Sequence, residues 1–431
     1  MTKSISHAFR IVLSIFSVLV FMSAGLVTAE ITKIDVDLDH ESHVYVIGET
    51  ATFSISVLDE NGKLVQDGTV QAVFQNTFQK ELKRETLDLS QQNPVTVPAT
   101  MNEPGFLTVT VSGNKVNSRG GAAFSPEKIE PGQEMPEDFW SYWRGLQKKL
   151  RAEVSGDLKL EKIDSISDDR QTTYRVSMAT FNDKNVNGFL SIPVGDGPFP
   201  LLVSVSWAGP GFGPAQYVAH EGFAVLHMTA FPYVPGLTLD ERQKQYDEFN
   251  AKLGIVYSYY GAPDRDRYYF RDMYLGIDRV IDTVLERQDI DSSRVGYYGT
   301  SQGGGSALIL GGLNGKFQFI HGSVPALCDH GAAKRGRQAG WPQIYRVVHD
   351  PKVEEMGPYF DGVNFAREIR CPIRLTVGFI DTTCSPSSVY AAFNVIPSTD
   401  KAILHEEHRG HDVGKKHGEI MSWLKESVRK K

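Results

Sequence analysis

The chain has 431 residues, 41% of them hydrophobic and 23% charged. That globular balance excludes a disordered, collagen-like or coiled-coil protein and leaves room for two or three domains. Against 52 Asp and Glu stand 45 Lys and Arg, a net charge of −7; such a chain lacks the basic patch that nucleic acid or an anionic membrane would need as its main partner, and neutral substrates remain open.

Residues 1–29 read as a signal peptide. Lys3 and Arg10 make a positive start, Ile11 to Val27 is an apolar run, and Val27-Thr28-Ala29 offers small residues at the cleavage positions. Cleavage near Ala29 predicts an exported protein, periplasmic or extracellular. The competing reading is an uncleaved anchor, but the run is at the short end of spanning length. Residues 30–125 alternate like strands. Ala51, Phe53, Ile55 and Val57 interleave with polar residues, Asp59-Glu60-Asn61-Gly62 follows as a turn, and Val70, Ala72, Phe74, Leu107, Val109 and Val111 alternate again. Short strands at this spacing predict a small immunoglobulin-like β-sandwich. The Pro- and Gly-rich stretch 126–135 reads as a linker.

From Pro136 to the end, residues 136–431, the period changes. Phe139, Trp143, Leu146 and Leu150 share one helical face. Strands are predicted at 158–165, 172–180, 186–193, 200–206, 223–229, 294–298, 317–323, 373–378 and 401–405, and helices at 269–287, 302–313, 386–394 and 416–428. Continuous apolar strands such as Leu201-Leu202-Val203 suit a parallel sheet covered on both faces. The alternation of strands and helices predicts an α/β domain with a doubly wound sheet.

Within it, Gly299-Thr300-Ser301-Gln302-Gly303 is a G-x-S-x-G motif between a strand and a helix. That context suits a serine held on a sharp turn, with the Gln302 backbone N–H facing any oxyanion formed on attack; the bland alternative is a glycine-rich turn that lets a helix pack closely. A serine needs a base, and the base an orienting carboxylate. In this fold the chain order is Ser, acid, His. Asp381 follows strand 373–378. His411, on the glycine-containing loop after strand 401–405, is the predicted base, with His408 and His417 as competitors and His405 still in the strand. Histidines three apart after a strand do not match the zinc-peptidase motif, which needs them four apart on a helix. No metal and no cofactor are therefore expected. The cysteines, Cys328, Cys371 and Cys384, are odd in number and form no CxxC pair, so neither a disulfide framework nor a thiolate zinc site is expected. Cys328 and Cys384 read as small buried hydrophobes, with no base suggested beside either thiol.

These residues resemble the acetyl xylan esterase / cephalosporin-C deacetylase family of α/β-hydrolases over roughly residues 130–428. The resemblance is carried in order by Pro136-Glu-Asp-Phe-Trp-Ser-Tyr-Trp, Tyr268-Tyr-Phe-Arg-Asp-Met-Tyr, Gly299-Thr-Ser-Gln-Gly-Gly, Pro325-Ala-Leu-Cys-Asp329, Asp381-Thr-Thr-Cys-Ser-Pro-Ser-Ser388 and Arg409-Gly-His411. It implies Ser301, Asp381 and His411 as a triad that removes acetyl groups from sugars, on a small-molecule, oligosaccharide or polysaccharide ester. Family members often form ring-shaped hexamers, which implies a homo-oligomer, though the added N-terminal sandwich brings bulk against such a ring. One departure stands out. Where the family carries H-G-Y after strand 200–206, this chain has Ser206-Trp207-Ala208-Gly209-Pro210-Gly211. Ala208 takes the tyrosine's place as second backbone oxyanion donor, and Trp207 and Phe212 become candidate substrate-binding residues. Aromatics between 231 and 260 read either as a sugar-stacking rim or as packing of a long excursion. Other carboxylesterase activity, peptidase activity and an inactive hydrolase-fold binding protein remain the alternatives.

Overall fold

The alternating N-terminal segment folds as two sheets. A computed structural model of the chain describes residues 30–430; the predicted signal peptide lies outside the described residues. The strands are β1 (Lys33–Leu38), β2 (Val44–Tyr45), β3 (Ala51–Leu58), β4 (Thr69–Asn76), β5 (Lys80–Asp88), β6 (Val95–Ala99), β7 (Gly105–Gly113) and β8 (Val116–Phe124). One sheet has the order β1-β3-β6, the other β2-β8-β7-β4-β5. Pairing is antiparallel except between β2 and β8. The period-two pattern decides which side chains go in: Phe53, Ile55 and Val57 from one sheet meet Ala72, Phe74 and Val109 from the other in one core. Phe53 and Phe74 pack edge-on at 5.3 Å across it.

The rest of the chain builds a nine-stranded sheet from β9 (Lys159–Lys162), β10 (Gln171–Ala179), β11 (Asn185–Pro193), β12 (Phe199–Val205), β13 (Ala224–Met228), β14 (Ile290–Thr300), β15 (Phe319–Ser323), β16 (Ile373–Gly378) and β17 (Lys401–Glu406). Its order is β17-β16-β15-β14-β12-β13-β11-β10-β9. From β17 to β13 neighbours run parallel, while β11, β10 and β9 are antiparallel additions. The longer helices are α1 (Phe139–Glu153), α2 (Leu239–Leu253), α3 (Tyr269–Leu285), α4 (Gln302–Asn314), α5 (Pro386–Val395) and α6 (Lys416–Lys430). All the predicted strands and helices of this region are present, most with shifted ends, and one of the longer helices was not foreseen. Segment 239–253 reads as polar sequence inside the aromatic excursion, yet forms α2, started by a capping box in which Thr238 accepts from the Glu241 N–H and the Glu241 carboxylate accepts from the Thr238 N–H.

Two packing features position the candidate site. The chain runs from β12 to β13 on one side and returns to β14 on the other, which opens a crevice at the carboxyl ends of β12 and β14. Helix α4 is buried nearly all round, and its glycines let it approach the sheet: a Cβ at Gly303 would lie 2.3 Å from the Val205 carbonyl oxygen, and one at Gly304 2.6 Å from that of Ser323. The N-terminal sheets meet the large sheet through Phe106 of β7, wholly buried, its ring 5.1 Å from Phe379 and 5.7 Å from Tyr390. Segment 126–135 is held to the same body: the Asn394 amide donates to the carbonyls of Pro126 and Ile129, and the Gly132 N–H donates to Asp329.

Candidate active site

Ser301 stands between β14 and α4 with φ 58° and ψ −119°, a backbone conformation that costs on the order of 1–3 kcal/mol and survives only where neighbours enforce it. They do so here. The Ser301 N–H donates to the Ser323 carbonyl, and the Ser301 carbonyl accepts from the N–H groups of Gly305 and Ala326. The flanking glycines have a steric reason as well, since a Cβ at Gly299 would lie 2.4 Å from the Gly303 carbonyl oxygen.

Asp381 follows β16 and is fully buried. One of its oxygens accepts from the N–H groups of Thr383 (2.7 Å) and Cys384 (2.9 Å). The other lies 2.8 Å from Nδ1 of His411. The loop after β17 folds back over the sheet to bring His411 there: the N–H of Phe379 donates to the carbonyl of Glu406 and that of Ile380 to Arg409. Nε2 of His411 is 2.9 Å from Ser301 Oγ, and its side chain remains 27% exposed. A carboxylate only accepts, so the His411 proton sits on Nδ1 and leaves the Nε2 lone pair to accept from the serine hydroxyl. The three residues singled out from chain order thus meet, across 30 and 110 positions of sequence.

The other histidines go elsewhere. His405 lies in β17 with Nε2 2.6 Å from the Tyr390 hydroxyl. His417 contacts Ser323 and His321. His408 turns toward the N-terminal sheets and lies edge-on to His43.

Gln302 opens α4, and the first N–H groups of a helix have no partner within it. Its side chain is clamped: the amide donates to the Ser206 carbonyl at 3.3 Å, and its oxygen accepts from the Tyr257 hydroxyl. That clamp joins the loop after β12, which carries Trp207 and Ala208, to the turn bearing Ser301. Trp207 and Phe212 pack together with ring centres 3.8 Å apart. They line a cavity of about 460 Å³ with Tyr217, His227, Tyr298 and Thr300. Gly299 and Thr300, just before Ser301, form part of its wall; Ser301, Asp381 and His411 do not. The aromatic excursion is mainly packing: Phe231 and Tyr257 are buried and stack or sit edge-on with Tyr233, Tyr246, Phe249 and Tyr269.

One contact escaped sequence reasoning. The sulfur of the buried Cys384 lies within 4.8 Å of a carboxylate oxygen of Asp381 and a ring nitrogen of His411. A base does therefore stand beside this thiol. Burial, then the Asp381 charge, push it well above the usual thiol range, so it stays protonated at neutral pH and is a poor nucleophile. The D-x-x-C spacing places the cysteine, but only the return of the His411 loop shows what it faces.

A family model described as acetyl xylan esterase matches residues 127–427, beginning just past β8. The acetyl esterase Axe7A of Xylanibacter ruminicola is 28% identical over 342 residues, which span 77% of this chain and 76% of that protein. Acetyl xylan esterase 1 from Thermoanaerobacterium sp. superposes with a TM-score of 0.58 at 22% identity, covering 70% of this chain and 97% of that one. The acetyl xylan esterase from Paenibacillus sp. R4 gives 0.57 at 24% identity, covering 70% and 98%. At those identities the solved structures speak for the fold.

Proposed function

This chain belongs to the acetyl xylan esterase family and is a carboxylic ester hydrolase; we propose that it removes acetyl groups from carbohydrate through a covalent acyl-enzyme, with Ser301 as nucleophile, His411 as base and Asp381 as the orienting carboxylate. The observation that carries this reading is His411 bridging Ser301 Oγ at 2.9 Å and Asp381 at 2.8 Å.

In the proposed reaction Ser301 Oγ attacks the ester carbonyl as His411 Nε2 takes its proton. The negative oxygen of the tetrahedral intermediate rests on the backbone N–H groups of Gln302 and Ala208, aided by the positive end of α4. His411 returns the proton to the departing sugar hydroxyl, leaving the acetyl group on Ser301. Water, deprotonated by His411, attacks the acyl-enzyme and releases acetate. Asp381 holds the imidazole and offsets its positive charge during both transfers. Trp207 and Phe212 form the wall beside Ala208, which stands where the family carries tyrosine, and the polar sugar lies against the outer part of this rim.

In the same reading, residues 1–29 are a cleaved export signal and 30–125 an immunoglobulin-like sandwich acting as a rigid spacer. Residues 126–135 are the connection and 136–431 the doubly wound catalytic domain. The family match from residue 127 and the extra sheets before it support this division.

Acetate release from acetylated xylan tests the proposal. Ser301→Ala should lower kcat by roughly 10³–10⁶ with folding intact; retention of full activity would overturn the assignment. Hydrolysis of p-nitrophenyl acetate without any release from acetylated xylan would keep the triad and reject the carbohydrate substrate.

A further inference from the structure

Where the His411 loop touches the N-terminal sheets, three side chains converge that the esterase reaction does not use. Asp37 is on β1, His43 ends the turn that follows it, and His408 is on the loop after β17. His43 Nε2 is 3.4 Å from Asp37 Oδ1, His408 Nε2 is 4.0 Å from the same oxygen, and one ligand atom from each residue lies within 4.8 Å of the others.

The protonation of His43 can be read from its partners. Its Nδ1 is 3.2 Å from the Gly121 carbonyl oxygen. A carbonyl cannot donate, so the proton is on Nδ1. In the neutral ring, Nε2 then carries a lone pair, and it points at a carboxylate oxygen that also only accepts. Two acceptors face each other with nothing positive between them. Protonation of the ring would resolve the conflict only by placing a positive charge on a side chain that is 2% exposed. A metal cation resolves it without charging the ring. A carbonyl accepting from the far nitrogen of a metal-bound histidine is the usual outer support of such a site.

From this geometry we infer that Asp37, His43 and His408 form a binding site for a divalent cation of the zinc type. Two imidazole nitrogens and one carboxylate oxygen suit zinc, which bonds to these atoms at about 2.0–2.2 Å in a tetrahedron whose fourth corner takes water. Neighbouring ligand atoms in such a tetrahedron stand about 3.4 Å apart. The His43–Asp37 edge has that length, and His408, 64% exposed and 4.0 Å from the same oxygen, has a side chain free to close the remaining gap. Asp37 is 70% exposed on its side chain, which leaves the corner for water open. Two supports are built in. Asp37 Oδ1 also accepts from the Leu38 N–H, which orients the carboxylate. His43 is held at φ 50°, a conformation uncommon for a residue with a side chain, while its carbonyl accepts from the Ala123 N–H of β8. A bound ion would tie β1 and the 39–43 turn to the loop that presents His411 three residues later.

The site goes beyond the esterase reading and does not depend on it, so its test reads metal content and stability rather than turnover. The full-length protein, cleared of metal, is dialysed against ZnCl₂ and its bound zinc measured, in wild type, His408→Ala and Cys384→Ser. The expected result is one zinc per chain in wild type and Cys384→Ser, with binding weakened by more than roughly tenfold in His408→Ala. Zinc should also raise Tm in the first two and not in the third. With Co²⁺ in place of zinc, ligand-field bands should appear without a thiolate-to-metal band. Absence of binding in wild type would overturn the inference, as would binding unchanged in His408→Ala. Zinc lost in Cys384→Ser would overturn it too, placing the ion at Asp381, Cys384 and His411 instead.

Discussion

The N-terminal sheets and the nine-stranded sheet bury different things. Among the described residues, the polar side chains buried in the first region are neutral or imidazole: His43, Asn76, Thr77, Thr108 and Ser125. The second region buries Asp272, Asp278, Asp329, Asp361 and Asp381. An antiparallel sandwich satisfies its backbone within its own ladders and needs only apolar alternation to close. A parallel sheet leaves loops at its strand ends that must be braced, and a carboxylate can accept from several N–H groups at once. Asp361, for instance, accepts from the N–H groups of Asp329, His330 and Val363. Buried charge is tolerable only where it is paired or hydrogen-bonded, so it concentrates where loops converge.

Three substitutions probe that contrast, beginning with the largest effect. Asp381→Asn keeps an oxygen for the N–H groups of Thr383 and Cys384 but sets an NH₂ against His411 Nδ1. The imidazole is then driven to the tautomer with its proton on Nε2, where it cannot take the proton of Ser301. The expected outcome is a fall in kcat of roughly 10³–10⁴ with a nearly unchanged Tm. An equal loss of both would mean that Asp381 acts as a brace alone.

Phe106→Ala acts at the joint. It removes a wholly buried ring that touches Phe379 and Tyr390, and urea unfolding should show a loss of about 3–5 kcal/mol. A loss below about 1 kcal/mol would mean that the two regions are far less tightly packed than described.

Asp278 tests the cost of a buried charge away from any reaction. Burial is the main cause that raises its pKa from 3.8 to about 6, despite hydrogen bonds from Gln147 and Asn314. The sign follows from linkage. Below pH 4 both folded and unfolded chains hold the proton. Between pH 4 and 6 the unfolded chain has released it while the folded one still binds it, so wild-type stability falls as pH rises, by about 2–3 kcal/mol in all. Above pH 6 the effect is constant. The stability of Asp278→Asn relative to wild type should therefore climb across pH 4–6 and then level, as read by denaturant midpoints; a flat difference would show that the carboxylate is already ionised.

Much of this was legible in the sequence where a local pattern fixes the outcome. Alternation marked β3, β4 and β7 among the N-terminal strands, the stripe Phe270, Met273, Ile277 and Val284 marked α3, and chain order after strands singled out Ser301, Asp381 and His411 for the site. Helix α2 was missed because its face is thin: apart from Tyr246, Phe249 and Leu253, packed partly against the core, it is polar, and the capping box at Thr238 was the available signal. The Gln302–Tyr257 clamp, the thiol of Cys384 beside His411 and the meeting of His408 with His43 were not legible. Each depends on how distant loops fold over one another, and no spacing along the chain encodes that.

The proton relay itself is tested most directly by labelling with a fluorophosphonate and mapping the adduct by mass spectrometry, in wild type and in His411→Ala. The account predicts a single adduct on Ser301, formed at a rate that drops by roughly 10³ or more when His411 is removed. An adduct on another residue, or a Ser301 adduct formed as fast without His411, would contradict it.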